Sequence, residues 1–333
     1  MKPLGVMDYL RKISSRIVLV MAIIAISVMT AAYDRYHFHW GKEKAIVLLG
    51  LLIGVLLAMF LEYLDHTLRT GMGVKFYARM PFMGEIPPAL KGDANIKVKN
   101  MLAHLKPEAL MAETFRNLRV NLLFAAPEGG SLGALMIGSS VLGEGKSFIA
   151  SNLAIAFTQA HKGELTLLVD ADMRRGKQGD FFGTGTEKGL STYLRGESTL
   201  DDSIRATSIP NLYVMSSGPH TESPENILNS EKLEELIQGL KAKYTRIVID
   251  VPAVLDFDDI LAWAGKCDNL LYVIGSGFTP LEEVNEAKKK LEGKAKITGA
   301  VLDNVAEEAD IYYYWSYFKY YWQNKFFKMK HQK

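Results

Sequence analysis

Apolar residues in the first part of the chain form two long runs, of which the second carries one charge, Glu62, near its end. They extend from Ile17 to Tyr33 and from Ala45 to Leu64, and each is apolar on every side, unlike the single stripe of an amphipathic helix. Each run is nearly or fully long enough to cross a bilayer as a helix. The pattern therefore predicts a two-helix transmembrane anchor over residues 1–65. A helical hairpin buried in a soluble protein is the alternative.

The charges around these runs predict an orientation. Only the short loop from Asp34 to Lys44 separates the runs, so the chain returns to the side on which it started. Basic residues are enriched on the cytoplasmic side of membrane proteins. Such residues stand before the first run and after the second, namely Lys2, Arg11, Lys12, Arg16, Arg69, Lys75 and Arg79. We expect an inner-membrane, multi-pass protein with both termini in the cytoplasm. No cleavage site that would indicate a removed signal peptide precedes the second run.

The rest of the chain alternates between short apolar runs and helical periodicity. Residues 66–100, which are punctuated by Gly and Pro, are predicted to be a juxtamembrane linker, and a helix is predicted from Pro107 to Phe124. Predicted strands are Ala134–Gly138, Thr166–Asp170, Leu212–Met215, Arg246–Asp250, Asn269–Ile274 and Ile297–Leu302. Predicted helices between them are Ser147–Ala160, Lys232–Leu240, Asp258–Gly265 and Leu281–Glu292. This alternation predicts an α/β domain with a doubly wound parallel sheet over residues 101–305.

Composition adds little to this picture. The net charge of +2 is too small to indicate a nucleic acid partner. The single cysteine, Cys267, cannot form an internal disulfide, and no His/Cys cluster has zinc-ligand spacing.

A glycine-rich segment follows the first predicted strand of the domain. It reads Gly138-Ser-Ser-Val-Leu-Gly143-Glu-Gly-Lys-Ser147 and leads into a helix. Backbone N–H groups of such a loop converge on phosphates, Lys146 reaches the outer phosphates and Ser147 offers a hydroxyl to Mg²⁺. Ser140 replaces the first glycine of the strict P-loop pattern. The segment predicts a P-loop nucleotide site for ATP and Mg²⁺.

Three aspartates stand at the ends of predicted strands. Asp170 and Asp172 end one strand, and Asp250 ends another. Because the carboxyl ends of parallel strands face the ligand crevice, we expect all three near the P-loop. Mg²⁺ accepts few carboxylates, so one of them remains available as a general base.

The C-terminal tail, residues 306–333, is rich in tyrosine. The tyrosines follow the acidic spacer Glu307-Glu308-Ala309-Asp310 and are Tyr312, Tyr313, Tyr314, Tyr317, Tyr320 and Tyr321. A phenol is a poor nucleophile at neutral pH unless a base takes its proton, which an aspartate beside a P-loop could do. An aromatic cluster at a bilayer surface is the other interpretation of this tail.

Together these motifs resemble the bacterial tyrosine kinases called BY-kinases, the cytoplasmic part of polysaccharide co-polymerases. The resemblance rests on Gly143 to Ser147, on Val169 to Arg175, on Ile249 to Pro252 and on the tyrosine-rich tail. A further match is Glu113-x-x-Arg116-x-x-Arg119, which in the family contacts the neighbouring subunit of a ring. A solvated helix face is the alternative for these three charges.

The resemblance implies a role for each matching residue. Lys146 would hold the phosphates, with Gly143, Glu144, Gly145, Ser147 and Phe148 completing the nucleotide-binding loop. Ser147, Asp172 and Asp250 would serve Mg²⁺, and Asp170 would be the base for the incoming tyrosine. The implied partners are other copies of the chain, the polysaccharide export or polymerase machinery and a tyrosine phosphatase.

The sequence also departs from the family. Fused members carry a large external domain between their membrane helices, so here a separate partner would supply it. Gly176 stands where proline is usual, and we expect little effect from this. Two other functions share these motifs: a membrane-tethered ATPase of the ParA/MinD type, and a nucleotide-gated scaffold for polysaccharide assembly.

Overall fold

The computed structural model describes residues 40–63, 65–88, 100–126, 132–160, 163–221, 223–228 and 231–305. The chain divides into two compact units, residues 1–66 and residues 67–333. The first predicted membrane run and the tyrosine-rich tail lie outside the described residues.

In the first unit, helix α1 covers Trp40–Tyr63. Several of its apolar side chains are exposed, among them Leu48, Leu52 and Leu56. Over the described residues, no helix combines the length and the hydropathy that are needed to cross a membrane.

The second unit is built on one eight-stranded sheet. Its strands are β1 Phe82–Glu85, β2 Ala134–Ser139, β3 Thr166–Asp170, β4 Ile204–Ala206, β5 Leu212–Met215, β6 Arg246–Asp250, β7 Asn269–Gly275 and β8 Ile297–Asp303. The strand order is β1-β8-β7-β2-β6-β3-β5-β4. Every pairing is parallel except that of β4 with β5. The prediction of an α/β domain with a parallel sheet is confirmed.

Helices cover both faces of the sheet. They are α2 Leu102–Leu105, α3 Leu110–Ala125, α4 Lys146–Thr158, α5 Gln178–Phe182, α6 Leu190–Arg195, α7 Leu200–Ser203, α8 Glu225–Leu228, α9 Glu231–Lys243, α10 Asp259–Ala264 and α11 Leu281–Leu291. Alternate residues of β2 belong to separate cores: Ala134 and Met136 pack on the side of α9 to α11, and Leu135 and Ile137 pack on the side of α3 and α4. Burial on both faces explains why the strands are continuous apolar runs.

Part of the predicted linker is instead a strand of the sheet. Within residues 66–100, a short helical segment Gly71–Gly73 continues as the π-helical turn Val74–Ala78 and leads into β1. β1 pairs with β8, and beyond its end the Ile86 N–H donates to the Leu302 carbonyl (2.8 Å). The linker prediction is therefore wrong over residues 82–86. A strand of only four residues gave no periodicity from which to predict it.

The connections create a crevice above β2. The chain leaves β2 through α4 and reaches β3 on one side, and it later returns to β7 on the other side. Ligands of open parallel sheets bind at the carboxyl ends of the strands, at such a reversal of strand order.

Candidate active site

The glycine-rich loop between β2 and α4 has the backbone of a phosphate cradle. Gly143 and Gly145 adopt φ angles of 91° and 90°, in the region that favours glycine. The first N–H groups of α4 have no acceptor within their helix and carry the positive end of its dipole. A Cβ on Gly145 would collide with the Asp303 carboxylate, so the loop also lies close against the end of β8. This donor set fits the phosphates of a nucleotide.

Lys146 is buried at the start of α4 and points back into the loop. Its Nζ donates to Ser139 Oγ (2.9 Å). Burial lowers the pKa of the Lys146 amino group, while the carboxylates of Asp250 and Glu144 act in the opposite direction. A cation that has lost its water shell and has few fixed partners is suited to bind an anion, which agrees with a phosphate-binding role.

Glu144 braces the loop rather than facing the crevice. Its carboxylate accepts from the Val141 N–H (2.8 Å), the Gly275 N–H (3.2 Å) and the Thr279 hydroxyl. Burial raises the pKa of this buried acid. Phe148 also faces away, since its ring packs edge to face against Phe115 of α3 at 5.6 Å between centroids. The side chains of Glu144 and Phe148, which were expected to bind nucleotide, instead pack against other parts of the protein and support the loop.

The structure brings two of the predicted aspartates together at adjacent strand ends. Asp170 of β3 and Asp250 of β6 are register partners, and both are buried. Burial raises the pKa of Asp170 well above its usual value, and the Asp250 charge adds to the effect. Burial also raises the pKa of Asp250 to about 6, against the effect of contacts from the Gln178 amide and the Ser147 side chain. Carboxyls with raised pKa values are suited to proton transfer near neutral pH.

Asp172 lies just beyond β3 and is more exposed. Its Oδ1 accepts from the Arg174 N–H (3.2 Å) and the Arg175 N–H (2.9 Å). Its own N–H donates to Asp170 Oδ1 (3.2 Å). Within the described ranges, no group of three or more His, Cys, Asp or Glu residues is arranged to hold a metal ion. Ser147, Asp172 and Asp250 nevertheless fit Mg²⁺, which takes one or two carboxylates and completes its shell with phosphate oxygens and water.

Gln178 connects the motifs, and no pattern in the sequence pointed to it. This fully buried residue begins α5, and its N–H donates to Asp170 Oδ2 (2.9 Å). Its Nε2 donates to Asp250 Oδ2 (2.9 Å) and to the Ser147 carbonyl (3.2 Å), and its Oε1 accepts from Ser151 Oγ (2.8 Å). One residue, through its backbone N–H and its side chain, thus holds both buried aspartates and the start of α4 in a fixed arrangement.

Comparison with known proteins assigns this arrangement to a family. No family model matches the sequence. The tyrosine-protein kinase YwqD of Bacillus subtilis strain 168 is 32% identical over 206 residues, which cover 62% of this chain and 86% of YwqD. The tyrosine-protein kinase CpsD of Streptococcus agalactiae serotype Ia is 35% identical over 202 residues, which cover 60% of this chain and 85% of CpsD. The chain belongs to the bacterial tyrosine-protein kinases.

Solved structures agree with this assignment of the kinase. The crystal structure of the chimerical protein CapA2B2 matches it with a TM-score of 0.65 and 33% identity, over 72% of this chain and all of that one. The kinase domain of the Escherichia coli tyrosine kinase ETK matches with a TM-score of 0.63 and 26% identity, over 70% and 93% of the two chains. The tyrosine-protein kinase wzc of Salmonella typhi is 27% identical over 298 residues, but the kinase spans only 41% of its length.

The predicted subunit-contact residues of the kinase lie on α3, and all three have partners in their own chain. Arg116 forms an ion pair with Glu113 (2.6 Å). Arg119 donates to the Ala156 carbonyl of α4 (2.5 Å), and burial lowers its pKa. Leu110 and Phe124 on the same helix are 71% and 86% exposed. A face that combines charges with exposed apolar side chains is compatible with a subunit interface.

Arg174 fixes the loop that carries Asp172. Its guanidinium contacts the Asp259 carboxylate, pairs with Glu225 (2.8 Å) and lies 4.5 Å from the centre of the Phe257 ring. Burial raises the pKa of Asp259, and the Arg174 charge opposes that shift. The kinase thus joins the loops after β3, β5 and β6 through one side chain, whose partners the sequence did not predict.

A cavity of about 670 Å³ lies at the other edge of the sheet. Its lining includes Gly133, Ile247 and Asn269, at the amino ends of β2, β6 and β7. It is therefore separate from the nucleotide cradle of the kinase, which lies at the carboxyl ends.

Proposed function

We propose that this kinase transfers the γ-phosphoryl group of ATP to tyrosines of its own tail. The observation that carries the proposal is the convergence of buried Lys146 with buried Asp170 and Asp250 at one edge of the sheet, held by Gln178. Asp170 takes the phenolic proton, the phenolate oxygen attacks the γ-phosphorus and ADP leaves. The acceptors are Tyr312, Tyr313, Tyr314, Tyr317, Tyr320 and Tyr321, which lie outside the described residues.

The other site residues serve the nucleotide. Lys146 and the backbone of Gly143 to Ser147 bind the phosphates, and Ser147, Asp172 and Asp250 would hold Mg²⁺. Bound Mg²⁺ neutralises phosphate charge in phosphoryl transfer. The raised pKa of Asp170 supports its role as the base, because proton transfer is most efficient when the pKa of the base lies near the working pH.

Labelled ATP tests the transfer directly. We expect the wild-type protein to gain tyrosine-bound label, Lys146→Ala to gain none, and Asp170→Asn to lose roughly 10²-fold or more in rate while it still binds nucleotide. Replacement of all six tail tyrosines by Phe should remove the label without affecting nucleotide binding. ATP hydrolysis without phosphotyrosine would refute the proposal and favour the ParA/MinD-type alternative, and full label on Lys146→Ala would refute the role of that lysine.

We further propose that the kinase works as a membrane-tethered ring that regulates exopolysaccharide or capsule synthesis and export. The two apolar runs of the sequence and the exposed leucines of α1 support the tether. The α3 charges and apolar residues support the ring. The family resemblance supports a separate external-domain co-polymerase and a tyrosine phosphatase as partners. Cell fractionation tests the tether: the full chain should sediment with the inner membrane, and recovery of the full chain in the soluble fraction would contradict it.

A further inference from the structure

Two exposed cations lie in the loop between β3 and α5. Arg175 and Lys177 are both exposed, and in the part of the chain that the structure describes neither side chain has an ion pair or a hydrogen bond. The neighbouring Arg174 differs, since Asp259 and Glu225 compensate its charge. The loop therefore presents to solvent two positive charges that no described residue pairs with.

These cations adjoin the proposed base. Gly176 stands between them, and a Cβ there would lie 2.7 Å from Asp170 Oδ2. The Arg175 N–H donates to Asp172 Oδ1 (2.9 Å), and Lys177 directly precedes Gln178, which binds Asp170. Because consecutive Cα atoms are about 3.8 Å apart, both cations border the place where a tyrosine must approach Asp170. A peptide entering this site meets positive charge at its rim.

The tail has the complementary charge. Glu307, Glu308 and Asp310 immediately precede Tyr312, Tyr313 and Tyr314. An acidic stretch held at the cationic rim would bring the tyrosines that follow it to Asp170. Binding of the acidic residues to the cationic rim would therefore place the tyrosines near Asp170.

The reach of the tail favours a second copy as the donor of this stretch. Val305 follows β8, at the same edge of the sheet as Asp170, and β8 and β3 are four strand spacings apart, about 19 Å. Asp310 is five residues beyond Val305, which gives at most about 17 Å even when extended. In their own chain the acidic residues would meet Arg175 and Lys177 only with the backbone fully extended and the side chains closing the remaining gap, a restriction that a second copy does not have.

We propose that Arg175 and Lys177 are specificity determinants that bind the acidic spacer Glu307 to Asp310 of a neighbouring copy and so present its tyrosines for phosphorylation. This inference rests on the proposed tyrosine-kinase function and adds the feature that the kinase recognises in its substrate. Acidic residues on the amino-terminal side of a tyrosine make it a better substrate than neutral residues do.

A charge-swap assay tests the proposal. The enzyme is the full chain in detergent, with Phe at the six tail tyrosines and Gln, Gln and Asn in place of its own Glu307, Glu308 and Asp310. The substrates are three peptides of residues 305–325: the natural one, one with the same three neutral replacements, and one with Lys at the three positions. The KM for peptide, kcat and the KM for ATP are measured for each pair.

The proposal predicts a particular pattern of KM values. Neutralising the peptide should raise its KM roughly threefold to tenfold with kcat nearly unchanged, as expected for a few exposed ion pairs, and added salt should reduce the difference. Arg175→Glu with Lys177→Glu should raise the KM for the natural peptide similarly, and the Lys-bearing peptide should restore it. Lys296→Glu, an exposed charge at the opposite sheet edge, is the matched control and should change nothing.

Several results would overturn the inference. Equal KM values for the natural and neutral peptides would do so, as would failure of the Lys-bearing peptide to restore the double variant. A rise in the KM for ATP alone would show that the two cations bind nucleotide phosphates instead. If the unmodified enzyme labels no peptide at all, the tyrosine-kinase proposal itself fails, which is a distinct outcome.

Discussion

Asp303 shows how a single residue makes the stability of this kinase depend on pH. It ends β8 and contacts the phosphate loop at Gly145. Burial raises the pKa of Asp303 to about 7, although the Asn304 N–H favours the charged form. The folded state holds the proton of the Asp303 carboxyl more tightly than the unfolded chain does. The protonated carboxyl therefore contributes fully to the stability of the fold below about pH 4, and this contribution is lost as the pH rises from about 4 to about 7.

Asp303→Asn should remove this dependence. The free energy of unfolding of the variant, relative to wild type, should increase between pH 5 and pH 8 by on the order of 2 kcal/mol, since each pKa unit corresponds to about 1.4 kcal/mol. Urea titrations at several pH values measure the difference. Asp180→Asn, at an exposed position of α5, is the control. Parallel stability curves for wild type and Asp303→Asn would show that Asp303 ionises freely in the fold.

Among the elements, α5 has an effect larger than its five residues suggest. Its first residue, Gln178, links the ends of β3 and β6 with the start of α4. The backbone N–H of Gln178 bonds Asp170, and its side-chain amide bonds Asp250. The position of the two carboxyls therefore depends on a helix that carries none of the recognised motifs.

Gln178→Leu should lower kcat by at least about tenfold and destabilise the fold by about 1–3 kcal/mol, because Asp250 loses a donor and the hydroxyl of Ser151 loses an acceptor. Initial rates of tyrosine phosphorylation and urea unfolding measure the two effects. Ser151→Ala is the control: it removes the bonds to Gln178 Oε1 and to the Ser147 carbonyl but leaves both Gln178–aspartate bonds, so it should reduce kcat much less. Unchanged kcat in Gln178→Leu would mean that backbone contacts alone position the aspartates.

The elements also show what the sequence could predict. Each of the six predicted strands, such as Thr166–Asp170, is present with ends within one residue of the prediction, because a strand buried on both faces is a distinct apolar run. β1 and β4 were missed: they have four and three residues, and Arg205 and Ala206 of β4 are exposed, so only pairing defines them. Strand ends brought Asp170 and Asp250 together as expected. Gln178 could not be predicted, because its role depends on tertiary contacts alone.

The whole molecule depends on contacts between copies if the proposed ring is correct. Glu113 and Arg116 of α3 form an ion pair within the chain, so a neighbouring copy would contact charges that are already held in place. Leu110 and Phe124 add exposed apolar surface to the same helix. Assembly is then a property of this face, and tail phosphorylation between copies depends on it.

Exchanging the two charges tests the ring at little cost to the monomer, which loses one exposed bond from Arg116 to the Pro107 carbonyl (3.1 Å). Glu113→Arg with Arg116→Glu keeps an ion pair on the helix but reverses the charges that a neighbour would meet. We expect a smaller mass by light scattering and slower tail labelling, because like charges then face each other, with thermal stability nearly unchanged. An unchanged mass would place the subunit contact elsewhere.

The position of β1 limits how the domain can be isolated. Its residues come before the boundary at 101 that the sequence suggests, yet β1 covers the outer side of β8. A fragment cut at residue 101 would leave β8 with a free row of N–H and C=O groups, and such borders template pairing with other chains. Poor solubility of that fragment would then reflect the loss of the edge strand β1 and not an unstable catalytic core. A fragment that starts at Thr67 would keep β1 paired with β8.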